Sequence, residues 1–251
     1  MITSHGICQV SIAPVRASAS DESEIVTQLL FGDYVEIIES GQPWIKIYFP
    51  ADDYQGWMDF KQLLYISEEE YLRDAKKDHP VLTVGSLQIN GPIGAQHIIF
   101  GSNLPNLHES KISLGGVSYE IDPIHNYNAS IVETSMLYLN TPYLWGGKGI
   151  FGIDCSGLTQ IVAKIHGHKL PRDASKQVLV GQSIDFSDVE VGDFMYFINS
   201  KNIVHHVGIV TAPNEIIHAS GHVRIDKFDE KGIWREDLNK YTHKYHSTKR
   251  L

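Results

Sequence analysis

The spacing of apolar and polar residues changes character along the chain, and each change predicts a different kind of element. Between residues 8 and 66 the period is two. Trp44-Ile-Lys-Ile-Tyr48 alternates, and Val35-Glu-Ile-Ile-Glu39 is rich in strand formers. Gly32-Asp33 and Ser40-Gly41-Gln42-Pro43 supply turn chemistry between such runs, which predicts short strands in a small barrel. Ser67 to Asp78 is charged, with Glu68, Glu69, Glu70, Arg73, Lys76 and Lys77, and reads as a solvated helical connector. Residues 80–127 return to β-type sequence broken by glycines, which predicts a second small β domain. From about residue 128 a helical period takes over. Ile131, Val132, Met136, Leu137 and Leu139 predict one helix, closed by Asn140-Thr-Pro142. Leu158, Ile161, Val162 and Ile165 fall at i, i+3, i+4 and i+7 and predict a second, starting at Asp154-Cys155 and stopping at Gly167. Asp193-Phe-Met-Tyr-Phe197, Val207-Gly-Ile-Val210 and Glu215-Ile-Ile-His218 then read as consecutive strands. Helices followed by an antiparallel sheet make this half an α+β domain. The expected division is 1–66, 67–127 and 128–251.

Composition narrows the function classes. With 251 residues, 42% hydrophobic and 20% charged, the chain has the make-up of a globular protein of two or three small domains. No apolar run approaches the roughly 18 residues of a membrane span. A formal charge of −9 argues against nucleic acid as a partner, because phosphate neutralisation needs clustered Lys and Arg. Residues 1–10 show no basic cluster followed by an apolar stretch, so the expected location is cytoplasmic. The alternative is a periplasmic or secreted chain trimmed of its leader.

Two cysteines, Cys8 and Cys155, are too few for a disulfide framework and lack zinc-type spacing. Cys8 reads as a structural thiol. Cys155 falls in the first turn of a predicted helix, where unpaired N–H groups and the helix dipole favour a thiolate and can face an oxyanion. Asp154 fits the N-cap position, although its charge opposes thiol ionisation. Of thirteen histidines most are expected at the surface, His243 and His246 in a polar tail among them. His206 and His218 differ, because each adjoins an apolar strand. If those strands form a hairpin, the two imidazoles lie side by side as a base and the group that orients it. His205 is the rival, since adjacent strand residues face opposite ways and only one can point at Cys155. A zinc site from His205, His206 and His218 is disfavoured for the same reason, so no metal and no cofactor is expected.

These residues resemble a family. Tyr143-Leu-Trp-Gly-Gly147, Gly152-Ile-Asp-Cys-Ser-Gly157, Gly192-Asp193, His206-Val-Gly-Ile209 and Ile217-His218-Ala219 occur in the order seen in NlpC/P60 peptidases, over roughly residues 128–225. The resemblance implies a papain-like fold with Cys155 as nucleophile, His206 as general base and His218 as the orienting residue. It implies that Tyr143 brings its hydroxyl toward the cysteine. Upstream, Ala13-Pro-Val-Arg16, Glu24-Ile-Val-Thr-Gln28, Gly32-Asp33 and Tyr54-Gln-Gly-Trp57 resemble a bacterial SH3-like domain. The full expectation is a papain-like NlpC/P60 domain preceded by two small SH3-like β-barrel domains.

That combination is similar to the subgroup cleaving γ-D-glutamyl bonds to a diamino acid in peptidoglycan-derived peptides with a free N-terminal L-alanine. Glu24, Tyr54 and Asp173 match positions that bind the alanine amine. Asp154 and Ser156 are further substrate candidates beside the nucleophile. Ala174 departs from the motif, standing where the family often has serine, so Ser175 or Ser156 would have to supply that hydroxyl. Two other classes stay open at this point. One is a wall-peptide binding module with an inactive catalytic half, and the other is an amidase or acyltransferase on the same fold. Lysine versus diaminopimelate at the third peptide position and the oligomeric state are open.

Overall fold

The computed structural model describes residues 4–92, 94–122 and 129–251. The expected boundary at 127/128 lies outside the described residues. By internal contacts the chain forms two compact units, Met1–Tyr127 and Asn128–Leu251.

The first unit contains a seven-stranded antiparallel sheet. Its strands are β1 (His5–Cys8), β2 (Ile12–Arg16), β3 (Ile25–Leu30), β4 (Tyr34–Glu39), β5 (Trp44–Phe49), β6 (Tyr54–Asp59) and β7 (Leu63–Ile66), ordered β3-β2-β6-β5-β4-β1-β7. Alternation does the sorting: Ile45, Ile47 and Phe49 of β5 point into a core with Cys8, Val15, Leu29, Val35, Met58 and Leu63. Gly32 turns β3 into β4 at φ +81°, and a Cβ there would meet the Asn103 carbonyl oxygen at 2.6 Å. The charged connector contains α1 (Glu68–Asp74), capped by Ser67, whose hydroxyl accepts from the Glu70 N–H at 3.2 Å. It is not fully solvated. Tyr71 is buried against His5, with ring centroids 4.1 Å apart, and buried Asp74 pairs with Arg73 and Lys77. A four-stranded sheet follows: β8 (Ser86–Gly91), β9 (Gly94–Ile99), β10 (Lys111–Leu114) and β11 (Val117–Ile121), ordered β10-β11-β8-β9. Ile7, Phe31 and Ile66 share one apolar core with Ile89, Ile98, Ile112 and Leu114, which ties the two sheets into a single unit.

The second unit opens with α2 (Ile131–Met136), closed at its start by a capping box between Ser130 and Glu133. Its apolar residues do not form the inward face the periodicity predicts. Thr134, Ser135 and Tyr138 are buried, whereas Met136, Leu137 and Leu139 are exposed, because the helix ends at Met136 and the chain turns. A two-residue hairpin, β12 (Lys148–Gly149) and β13 (Gly152–Ile153), leads into α3 (Cys155–Ile165). This helix is buried from Cys155 through Ala163 and lies against the sheet. After α4 (Ala174–Gln177) come β14 (Gln182–Ile184), β15 (Phe194–Ile198), β16 (Val204–Ala212), β17 (Glu215–Ser220), β18 (His222–Asp229), β19 (Gly232–Arg235) and β20 (Lys240–Arg250). Their order is β14-β20-β15-β16-β17-β18-β19, and an extra β20–β19 pairing closes strands β15 to β20 into a six-stranded barrel. The expected polar tail is therefore an eleven-residue strand between β14 and β15, and it also meets β19. Its polar composition hid it, since backbone pairing with neighbours on both sides supplies what apolar alternation usually signals.

Candidate active site

The start of α3 is fixed by a buried ion pair. Asp154 caps the helix, its Oδ1 accepting from the Gly157 N–H at 2.7 Å and its Oδ2 from the Gly146 N–H at 2.8 Å. Arg172 clamps both oxygens, Nη1 at 2.9 Å and Nη2 at 2.5 Å, and Nη1 also donates to the Ser156 hydroxyl at 2.8 Å. Backbone packing here leaves no room for side chains. A Cβ on Gly157 would lie 2.2 Å from the Gly147 carbonyl oxygen. The Asp154 carboxylate thereby spends its lone pairs in holding the loop to the helix. Ser156 is buried in the same cluster, with its hydroxyl engaged by Arg172 and Asp154. Arg172 went unnoticed in the sequence. The usable signal was a lone arginine beside Pro171, downstream of an acidic cap that needed a counter-charge.

Cys155 is thus held in the first turn of α3, 7% exposed. The β16–β17 ladder begins at Gly208↔His218. The Cys155 Sγ faces the neighbouring stretch of β16, 3.9 Å from the His205 carbonyl oxygen and within reach of the Val207 N–H. His206 sits between those two residues. Burial pushes the thiol pKa up to about 12, Asp154 adds to the rise, and the Val207 and Ser156 N–H groups with Arg172 oppose it. The helix start alone does not produce a standing thiolate.

His206 is buried and His205 is exposed, as strand alternation requires. From His206 a chain of titratable groups steps across β16, β17 and β18 on one face. His206 Nε2 lies 2.8 Å from His218 Nδ1, and His218 Nε2 lies 2.9 Å from Asp226 Oδ2. Arg224 pairs with Asp226 at 2.7 Å and reaches Asp237, which Arg235 also holds. Burial drives the pKa of His206 well below 6.5, helped by the nearby imidazoles, and burial likewise lowers that of His218 although Asp226 opposes it. Both rings are then neutral, and the carboxylate fixes their protons. Asp226 can only accept, so His218 carries its proton on Nε2 and offers Nδ1 as acceptor. His206 must donate from Nε2, which leaves its Nδ1 lone pair free to act as a base. A neutral imidazole with a free lone pair can take the proton of a neutral thiol as the sulfur attacks a carbonyl carbon.

Asp226 was missed because it lies in the alternating surface-type run Val223-Arg-Ile-Asp226, where a carboxylate looks like solvent-facing polarity. His243 was misjudged. It lies on β20, stacked on the His206 ring with centroids 3.9 Å apart, and burial brings its pKa down to about 3. The ligand nitrogens of His206, His218 and His243 all lie within 4.8 Å of one another. These three, rather than a set including His205, could take a transition-metal ion. A metal bound there would claim imidazole nitrogens on which the base and its proton chain depend.

Tyr143 is half-buried, and its phenol pKa is raised by burial and by the adjacent Cys155. Asp173 begins α4, where its carbonyl accepts from the Lys176 and Gln177 N–H groups without a side-chain cap. Ala174 is buried and Ser175 exposed. In the first unit Glu24 is exposed just before β3, and Tyr54 opens β6 opposite Phe49. Cys8 is wholly buried in the apolar core, its thiol donating to the Val10 carbonyl at 3.4 Å.

A cysteine-started helix packed on an antiparallel barrel, with imidazoles on neighbouring strands, defines a papain-like α+β fold. Residues 140–243 match the NlpC/P60 family and residues 15–63 match the bacterial dipeptidyl-peptidase SH3 domain. The chain thus carries an NlpC/P60 domain, with a bacterial dipeptidyl-peptidase SH3 domain ahead of it. It is similar to a γ-D-glutamyl-L-lysine dipeptidyl-peptidase of Bacillus subtilis, 26% identical over 234 residues that cover 81% of this chain and 75% of that one. A Bacillus cereus protein of the same name is also 26% identical, over 80% of this chain and 68% of its own. The fold matches the crystal structure of an NlpC/P60 family protein from Bacillus cereus with a TM-score of 0.79 at 22% identity, covering 98% and 99% of the two chains.

Proposed function

We propose that this peptidase is a cysteine enzyme that hydrolyses the γ-D-glutamyl to L-diamino acid bond of peptidoglycan stem peptides with a free N-terminal L-alanine. The observation that carries the chemistry is the Cys155 thiol lying against residues 205–207, with the proton chain His206–His218–Asp226 leading away from it. In this reading His206 Nδ1 takes the thiol proton while Sγ bonds to the amide carbon. N–H groups in the first turn of α3 receive the oxyanion. The C–N bond breaks as His206 returns the proton to the leaving amine, leaving a thioester. Water, deprotonated by His206, then releases the dipeptide and the thiol.

The substrate assignment is supported by the names of the similar Bacillus proteins and by the SH3 domain match. Glu24, Tyr54 and Asp173 are assigned the L-alanine ammonium by their match to the family pattern. A free amine restricts the enzyme to peptides already released from glycan, which fits recycling in the cytoplasm. Incubation with defined muropeptides, followed by mass spectrometry, tests the reading. Release of L-Ala-γ-D-Glu from free stem peptides, lost when the alanine is acetylated, is the expected result. Equal cleavage of free and acetylated stems would remove the amine requirement, and no cleavage of either would remove the substrate class.

A further inference from the structure

His243 is the member of the imidazole cluster for which the proposed reaction has no use. It is half-buried on β20, stacked on His206 with centroids 3.9 Å apart, and its ring stands at 79° to that of His218. One nitrogen from each of His206, His218 and His243 falls within 4.8 Å of the others. Among the described residues no second group of three or more His, Cys, Asp or Glu side chains converges in this way. Two of the three rings have their outer nitrogen already engaged. His218 Nε2 donates to Asp226 Oδ2 at 2.9 Å, and a carboxylate on the far nitrogen is what orients metal-bound imidazoles. The Thr242 hydroxyl donates to the Ile233 carbonyl at 3.4 Å, so it accepts from the His243 Nδ1–H at 2.9 Å.

A neutral imidazole carries one proton and one lone pair. With the outer nitrogens protonated, the lone pairs left on two rings are His218 Nδ1 and His243 Nε2. The third inward nitrogen is His206 Nε2, 2.8 Å from His218 Nδ1. Zinc binds imidazole nitrogen at about 2.0–2.1 Å, so two such ligands on a tetrahedral ion sit about 3.3 Å apart. The His206 and His218 rings, 88° apart in plane, therefore need to separate by about half an ångström. His243 lies over the His206 ring rather than in its plane, and it reaches the ion by tilting off the stack, for which its partial burial leaves room. Lys231 and Lys244 line the cavity beside His243 and oppose a cation's approach, which holds the affinity below that of a closed structural zinc site.

We propose that His206, His218 and His243 form a reversible, inhibitory site for a zinc ion, with water in the fourth position. The site stands on the geometry alone, whereas its inhibitory effect rests on His206 being the base of the reaction proposed above. His206 carries its proton on Nε2 when it donates to His218. For Nε2 to bind zinc that proton must leave it, and solvent exchange places it on Nδ1. The ring stays neutral, no net proton is released, and the lone pair that takes the thiol proton is gone. Zinc thus stops turnover by switching one tautomer, with the sulfur uninvolved.

Calorimetric titration of zinc sulfate into Cys155→Ala protein, in a buffer that does not chelate, tests the site. One equivalent should bind, with an affinity within about threefold of that for the wild-type protein. His243→Phe keeps an aromatic ring on His206 but removes a ligand, and Asp226→Asn removes the carboxylate behind His218; each should weaken binding at least about tenfold. In stem-peptide hydrolysis by the wild-type enzyme, zinc should inhibit and EDTA should restore the rate, whereas magnesium, which takes oxygen ligands, should have no effect. Loss of binding in Cys155→Ala would assign the ion to the thiol, and binding indifferent to His243→Phe would dissolve the three-histidine site; either overturns the proposal. If His243→Phe melts early, imidazole NMR of the Cys155→Ala protein decides. The His206, His218 and His243 signals should move together as zinc is added, and shifts confined to other histidines overturn the site. Binding at the three histidines without inhibition overturns the inhibitory role. If the enzyme cleaves no stem peptide, the functional reading falls, and calorimetry still decides the site.

Discussion

Cys8 and Cys155 are both buried thiols, and burial raises the pKa of both. Around Cys8 the neighbours are Ala13, Val15, Leu29 and Val35, and the thiol's hydrogen-bond partner is a carbonyl two residues away. Around Cys155 lie a helix start, two strand residues flanking an imidazole, and a proton chain ending on a carboxylate. Protonation state thus does not separate the proposed nucleophile from a core filler. Under the proposed mechanism the difference lies in the proton chain that starts at His206 and in the N–H groups at the start of α3.

The largest effect should come from deleting each sulfur in turn. Cys155→Ala should abolish peptide turnover while leaving the melting curve near wild type. Cys8→Ala should leave kcat/KM within about twofold and lower stability by about 1–2 kcal/mol, the cost of a small cavity in a packed core. Steady-state kinetics and urea unfolding read the two outcomes. Turnover of the Cys155 variant above a few per cent would place the nucleophile elsewhere.

The next effect grades the imidazoles. His206→Ala should cost about 10²–10⁴-fold in kcat, the usual contribution of a general base. His218→Ala should be intermediate, since a water can partly replace its contact to His206. His205→Ala should cost least, because only its backbone carbonyl faces the thiol. Equal losses at His205 and His206 would mean that the strand faces are reversed or that the histidines serve a metal.

Asp226→Asn should come below His206→Ala and His218→Ala, with kcat reduced about 10- to 100-fold and KM little changed. The amide keeps the shape but loses the charge that stabilises a developing imidazolium two rings away. It can also present N–H to His218 and reverse the proton order along the chain. A KM effect with unchanged kcat would instead make Asp226 part of substrate binding.

Much of this was legible in the sequence, and the parts that were not share a physical reason. The strand alternation around Ile45 and Ile47 and the helix at Leu158, Ile161 and Val162 are patterns in which neighbours in sequence share an environment. So is the helix start at Asp154-Cys155. The hidden parts depend on contacts distant in sequence. Arg172 acquires its role only when it reaches Asp154, eighteen positions away. Asp226 gains its role when β17 pairs with β18, and His243 when β20 inserts between β14 and β15. The α2 region failed differently. Its apolar residues follow a helical period, but the helix stops at Met136 before they can form a common face.

The smallest effect, on stability against pH, sharpens the same comparison from both sides of neutrality. Burial holds His206 and His218 neutral with folded pKa values below the unfolded 6.5, and that of His243 down to about 3. Below pH 6.5 the unfolded chain binds protons that the folded chain does not, so unfolding becomes easier as pH falls. Each such group contributes up to about 1.4 kcal/mol per pH unit across that window. His79 and His166, also lowered by burial, act in the same direction. On the alkaline side the thiols act. Their folded pKa values are raised, so above about pH 8.5 the unfolded chain sheds protons that the folded chain keeps, and stability falls again. Chemical unfolding at intervals from pH 5 to pH 10 should give a dome with its top near neutrality. Cys8→Ala and Cys155→Ala should each flatten the alkaline limb and leave the acid limb unchanged. His206→Ala should flatten only the acid limb. If Cys155→Ala steepened or shifted the acid limb, the thiol would be exchanging its proton with His206 in the resting enzyme, and the neutral pair would give way to a thiolate–imidazolium pair.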